Sequence, residues 1–141
     1  MKKITPFLWF NNNAEEAMKF YVSIFKNAKI LNGNHFELEG QEFLVLNGGP
    51  QFPFTPAVSF FINCETQQEV DDLWEKLSEG GEKGRCGWLK DKYGLSWQVI
   101  PSVLGQMLHD KDPVKAKRVL NAMLQMNKID VAALKQAYEQ G

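Results

Sequence analysis

The sequence predicts an α+β chain made of two βαβββ units and a C-terminal helical tail, on three observations. Apolar strand-like runs and helical stripes follow one another in the same order twice, at a spacing of roughly fifty residues. The hairpin-like stretch Leu38-Glu39-Gly40-Gln41-Glu42-Phe43-Leu44-Val45-Leu46 is echoed in Gly87 to Ile100. Superposing Gly40 on Gly94 places Phe43 on Trp97, Leu44 on Gln98 and Val45 on Val99. Beyond Pro101 only helical signals remain. The predicted layout is one domain over residues 1–141, with a first unit at 4–47, a second at 55–101 and the tail at 102–141.

In order, Ile4 to Phe10 is an apolar run with Pro6 near its start, where a strand tolerates proline. Asn11-Asn12-Asn13 breaks it, and Asn13 with Glu16 has the spacing of a capping box. Ala17, Phe20, Tyr21, Ile24 and Phe25 recur at helical spacing, so a helix is expected over Ala14 to Phe25. Ala28 to Leu31 and His35 to Leu38 read as strands around the tight turn Asn32-Gly33-Asn34, and Phe43 to Leu46 closes the unit. A Gly- and Pro-rich linker, Gly48 to Pro56, follows.

The plan then restarts. Ala57 to Ile62 is a strand, and Thr66 with Glu69 opens a helix whose stripe is Val70, Leu73, Trp74 and Leu77. Gly80-Gly81 ends it. Within Lys83 to Ile100 lie Trp88 to Lys90 and Leu95 to Ile100, joined by the polar turn Asp91-Lys92-Tyr93-Gly94. The last strand alternates, with Trp97 and Val99 on one face and Ser96, Gln98 and Ile100 on the other. A bulky face suits packing on a helix; Gln98 on the opposite face calls for another explanation. In the tail, Asp112-Pro113 and Asp130 start helices that pack on the sheets or on a second subunit.

Composition narrows the function. A chain of 141 residues, 44% hydrophobic and 23% charged, is that of a soluble globular protein long enough for a real core. A formal net charge of −1 without a basic stripe argues against nucleic acid. No run approaches a membrane span, and the apolar start is too short for a signal peptide. Two cysteines, Cys64 and Cys86, make no disulfide framework and point to a cytoplasmic setting, though one bridge between them also satisfies the count. Ten Phe and four Trp can fill a core or line an apolar pocket.

Several stretches together resemble the PhnB-like family: Thr5-Pro6-Phe7-Leu8-Trp9-Phe10, Ala14-Glu15-Glu16-Ala17 with Phe20-Tyr21, Leu46-Asn47-Gly48-Gly49-Pro50, and above all GWLKDKYGLSWQV. That family bears the label 3-demethylubiquinone-9 3-methyltransferase domain and is a branch of the vicinal-oxygen-chelate superfamily. The resemblance implies paired βαβββ modules of glyoxalase/bleomycin-resistance type, with curved sheets around a pocket and assembly as a homodimer. The chain departs from such relatives at Ala28 to His35, which is very short, so the first hairpin is clipped.

Active members of that superfamily hold a divalent metal on inward-facing His and Glu residues. Carried over, those positions fall near Thr5-Pro6, near Pro56-Ala57, at Leu44 and at Gln98. None is a His or a carboxylate, and one amide does not hold a transition metal, so neither metal nor cofactor is expected. His35 and His109 lie elsewhere in the sequence and read as structural. The methyltransferase label is equally unsupported, because no Gly-rich turn opens a helix after a strand.

Two function classes follow. The first is a binding module for a small apolar or aromatic molecule, with Trp9, Phe61, Trp88, Cys86 and Leu44 as candidate walls and Gln98 as the directional polar group. The pattern leaves open which face of each first strand points inward. The second is an enzyme with a non-standard site, drawing on Gln98, Cys86, Lys90 and Asp91, although Lys90 and Asp91 read more simply as a solvated turn. Neighbouring cations could activate Cys86, but a packed thiol is the simpler reading, and more so for Cys64. No catalytic residue is assigned.

Overall fold

The computed structural model describes residues 1–140. The chain divides into two compact units, one over Met1–Thr55 and one from Pro56 onward.

The first unit runs β1 (Phe7–Phe10), α1 (Ala14–Ile24), β2 (Ala28–Asn32), β3 (His35–Leu38) and β4 (Gln41–Asn47), with sheet order β1-β4-β3-β2. Strand β1 pairs parallel with β4, and the other pairs are antiparallel. Alternation sends Leu8, Phe10, Phe36, Leu38, Phe43 and Val45 to one face, where they are buried with Ala14, Ala17, Met18 and Tyr21 of α1. Tyr21 stacks on Phe36 and Phe36 on Phe43, with ring centroids 5.9 and 5.0 Å apart. Each such side chain taken from water stabilises the fold by about 1.5–3 kcal/mol. The turn between β3 and β4 holds Glu39 at φ 49° and Gly40 at φ 85°, the pair of left-handed residues that a type I′ hairpin requires.

Two expectations are corrected here. The first strand begins at Phe7 and not at Ile4, because Pro6 has no N–H to give the ladder; it contributes only its carbonyl, which accepts from Leu44 N at 2.9 Å. Helix α1 does start after Asn13, but the Asn13 side chain makes no cap bond. Asn47 replaces it, its Oδ1 accepting from Ala14 N at 2.9 Å. The end of β4 thereby caps α1.

The second unit repeats the plan with β5 (Ser59–Cys64), α2 (Gln67–Ser78), β6 (Glu82–Lys83), β7 (Trp88–Lys90) and β8 (Ser96–Pro101), in sheet order β5-β8-β7-β6. Strand β5 is parallel to β8, as β1 is to β4. Helix α2 buries Val70, Leu73, Trp74 and Leu77, the expected stripe. Thr66 Oγ1 accepts from Glu69 N at 3.2 Å, while the Glu69 carboxylate takes Glu65 N instead of the cap's own N–H.

The turn after β7 departs from the solvated reading. Asp91 is only 2% exposed. Its Oδ1 accepts from Tyr93 N and Leu95 N at 2.9 and 3.0 Å, and its Oδ2 accepts from the Trp97 indole at 2.9 Å. A buried carboxylate with three donors shapes the hairpin and fixes the ring beneath it.

The tail is α3 (Ser102–Leu108), α4 (Pro113–Met123) and α5 (Val131–Glu139). Helix α3 carries no side-chain cap at its start and had no start signal in the sequence. Asp112 and Asp130 cap α4 and α5 as expected. Leu104, Met107, Val119, Ile129 and Leu134 close around Ile100 at the end of β8, so the tail packs on its own unit. Gln67 staples it to α2, donating to Ile129 O and accepting from Val131 N. No helix among the described residues is long and apolar enough to cross a membrane.

Candidate functional site

Each sheet has a helix-covered face and an opposite face, and strand register decides which residues share the latter. In the second unit Phe61 pairs with Gln98, and Gln98 with Trp88. These three side chains form one row across β5, β8 and β7. Trp97 and Val99 lie on the helix side with Phe60, Ile62 and Leu89 as their register partners, as the alternation of β8 foretold. Phe61 is 60% exposed, while Trp88 and Gln98 are half-buried. Gln98 Nε2 donates to Ser59 Oγ at 3.0 Å, so the amide is held by a hydroxyl of its own face and not by the backbone. Lys90 pairs with Ser96, and Ser96 with Ser59, which puts an exposed lysine on the same side.

The corresponding row of the first unit is Phe7, Leu44 and His35. The repeat thus sets Phe7 against Phe61, Leu44 against Gln98 and His35 against Trp88. His35 Nε2 lies 2.8 Å from Glu42 Oε1, an ion-pair distance without hydrogen-bond geometry. Lys2 N donates to the other oxygen of Glu42 at 3.2 Å. That backbone N–H, with His35 beside it, holds the Glu42 carboxyl below its usual value against the opposing effect of burial. Nothing local in the sequence puts His35 in the site. Only the pairing of β3 with β4 brings it opposite Leu44.

The remaining candidates separate. Trp9 is on the same face as Leu44, but its ring lies flat against Gly48, where a Cβ would come within 2.2 Å of it. Its indole donates to Gly49 O at 2.9 Å, and Phe52 meets it edge-on at 5.0 Å. Trp9 therefore anchors the Gly48-Gly49 loop. Cys86 sits before β7 at φ 57°, its thiol 3.6 Å from Met123 O and its N–H bonded to Met126 O, so it belongs to the contact with the tail. Cys64 is buried at the end of β5, and burial pushes its thiol up to about 12.

The residues do not fit a divalent metal at the positions the resemblance implies. Leu44 stands between Phe7 and His35, the Gln98 amide is held by Ser59, and no three His, Cys, Asp or Glu side chains converge among the described residues. The strand-to-helix turns, Asn11 to Asn13 and Glu65-Thr66, hold no glycine to admit a nucleotide-like cofactor.

A family model described as 3-demethylubiquinone-9 3-methyltransferase matches residues 2–35 and 31–100. Its two stretches overlap at 31–35, in the β2–β3 hairpin, and the helical tail lies beyond its end. The PhnB protein from Bacillus cereus is 37% identical and superposes with a TM-score of 0.67, over 71% of this chain and 99% of that one. A protein from Pseudomonas aeruginosa, 18% identical, shares the fold with a TM-score of 0.58 over 72% of this chain and 98% of its own. A glyoxalase/bleomycin resistance protein from Albidiferax ferrireducens T118 aligns at 14% identity over 68% of this chain and 96% of its own, with a TM-score of 0.48. No curated protein matches the chain.

Proposed function

The chain belongs to the 3-demethylubiquinone-9 3-methyltransferase family and is similar to the PhnB protein of Bacillus cereus, and from that premise we propose that it binds a small apolar or aromatic molecule on the face of its second sheet opposite α2. The observation that carries this reading is the row Phe61, Gln98 and Trp88. Two aromatic side chains flank one oriented amide, the combination of apolar area and a sparse polar group that small-molecule sites use. Binding needs no metal and no cofactor here. The setting is cytoplasmic, in keeping with two free thiols.

Titration of an aromatic fragment library, followed by nitrogen–proton NMR of the indole and side-chain amide signals, tests the reading. Ligands should move the Trp88 and Gln98 signals. Gln98→Leu should weaken binding by about 1–3 kcal/mol and leave the melting temperature nearly unchanged. A large drop in melting temperature with unchanged affinity would assign Gln98 to the fold and sink the proposal.

A second reading, an enzyme using acid–base chemistry, has one observation in its favour. The His35–Glu42 pair borders Phe7 and Leu44 on the first unit. An imidazole and a carboxylate 2.8 Å apart are the residue types that general acid–base catalysis uses. Turnover that survives His35→Asn would remove that reading.

A further inference from the structure

The Ser59–Gln98 contact narrows the ligand class, and the inference rests on the binding reading above. Gln98 Nε2 donates to Ser59 Oγ at 3.0 Å. A primary amide has one acceptor oxygen and two N–H donors, and a serine hydroxyl is both donor and acceptor. With one bond made between them, Gln98 keeps its second N–H and its Oε1, and the Ser59 O–H is left to donate. Turning the amide over reverses the two roles: Ser59 O–H then donates to Oε1, the Gln98 NH₂ remains a donor, and Ser59 keeps its lone pairs. Either way the pair keeps an acceptor beside its unused donors.

We infer that this pair recognises a planar edge with a neighbouring donor and acceptor, a lactam or carboxamide fused to or borne on an aromatic ring, with Phe61 and Trp88 against the ring. An ionised carboxylate can use the donors of the pair but, having no donor of its own, leaves Gln98 Oε1 unmatched. A bare arene leaves both groups without a partner. Lys90, on the same face, is the feature that would favour a carboxylate instead.

Three bicyclic probes of one size separate these cases: 2-quinolone, with the N–H and C=O edge; 2-methoxyquinoline, which lacks the donor; and quinoline-2-carboxylate, the anion. Affinities come from NMR titration of the full-length protein, read at the Trp88 indole and the Gln98 side-chain amide. The lactam should bind about tenfold or more tighter than either control, and Ser59→Ala should weaken its binding. Gln98→Leu should abolish the preference, read at Trp88. Equal affinities for all three probes would overturn the inference and leave the binding reading standing. Tightest binding of the carboxylate would overturn it in favour of Lys90. No shift at Trp88 or Gln98 with any probe would overturn both.

Discussion

Asp91 shows how one side chain can be misjudged from its neighbours. Asp91-Lys92-Tyr93-Gly94 has the composition of a solvated turn, yet the carboxylate is buried and accepts three N–H bonds. Truncation to Asp91→Ala leaves those donors without an acceptor, and urea unfolding should show a loss of about 3–5 kcal/mol. A loss under about 1 kcal/mol would mean that water replaces the carboxylate. Cys64 offers a second check at this scale. Its thiol is pushed up to about 12, by burial first and then by Glu69, so almost none of it is thiolate near neutrality. In Ellman's assay at about pH 8, Cys64 should react only after denaturant is added. Prompt reaction of both thiols in the native protein would contradict that burial.

Between elements, the helical tail is joined by a hydrogen bond whose two partners titrate at opposite ends of the pH scale. Tyr138 Oη, on α5, donates to Asp110 Oδ2, in the connection between α3 and α4. The bond holds Asp110 below its ordinary value, aided by the Asp112 N–H, and raises Tyr138 above its own. For the lowered acid, the contribution is present above the ordinary carboxylate value and is lost as pH falls through the depressed one. For the raised phenol, it is present below the ordinary tyrosine value and is lost as pH climbs through the elevated one. Melting temperature should therefore have a plateau at intermediate pH, with a shoulder on each side. Tyr138→Phe should flatten both shoulders in a series from about pH 3 to about pH 11. An unchanged profile in that variant would show that the bond is not maintained in solution.

For the whole molecule, the edge strands carry the assembly question. Strands β1 and β5 lie at the edges of their sheets, and they expose Phe7 (55%) and Phe61 (60%). Ile4, Phe52 and Val58 are exposed as well. Exposed apolar side chains in such number mark surface that natural proteins tend to cover. A two-fold homodimer is the expected cover, and light scattering at micromolar concentration should give a mass near twice 16.1 kDa. A mass of one chain throughout that range would dismiss the dimer.

What the sequence determined by itself is the part written in short-range physics. The two helical stripes, the Thr66, Asp112 and Asp130 caps, the repeated hairpins at Gly40 and Gly94, and the division of β8 into a Trp97–Val99 face and a Gln98 face all follow from residues within a turn or two of one another. Gln98 could be singled out for the same reason, as a polar side chain breaking an alternation. What only the tertiary structure decided involves partners far apart in sequence. Asn47 caps α1 from the far end of β4, Trp9 is held by Gly48 and Gly49, and Ile100 receives the tail core. The rows Phe61–Gln98–Trp88 and Phe7–Leu44–His35 are of this second kind, because strand order and register bring their members together. A one-residue slip in register would send every one of those side chains to the opposite face, and no local pattern around His35 or Ser59 records which register the packed helix selects.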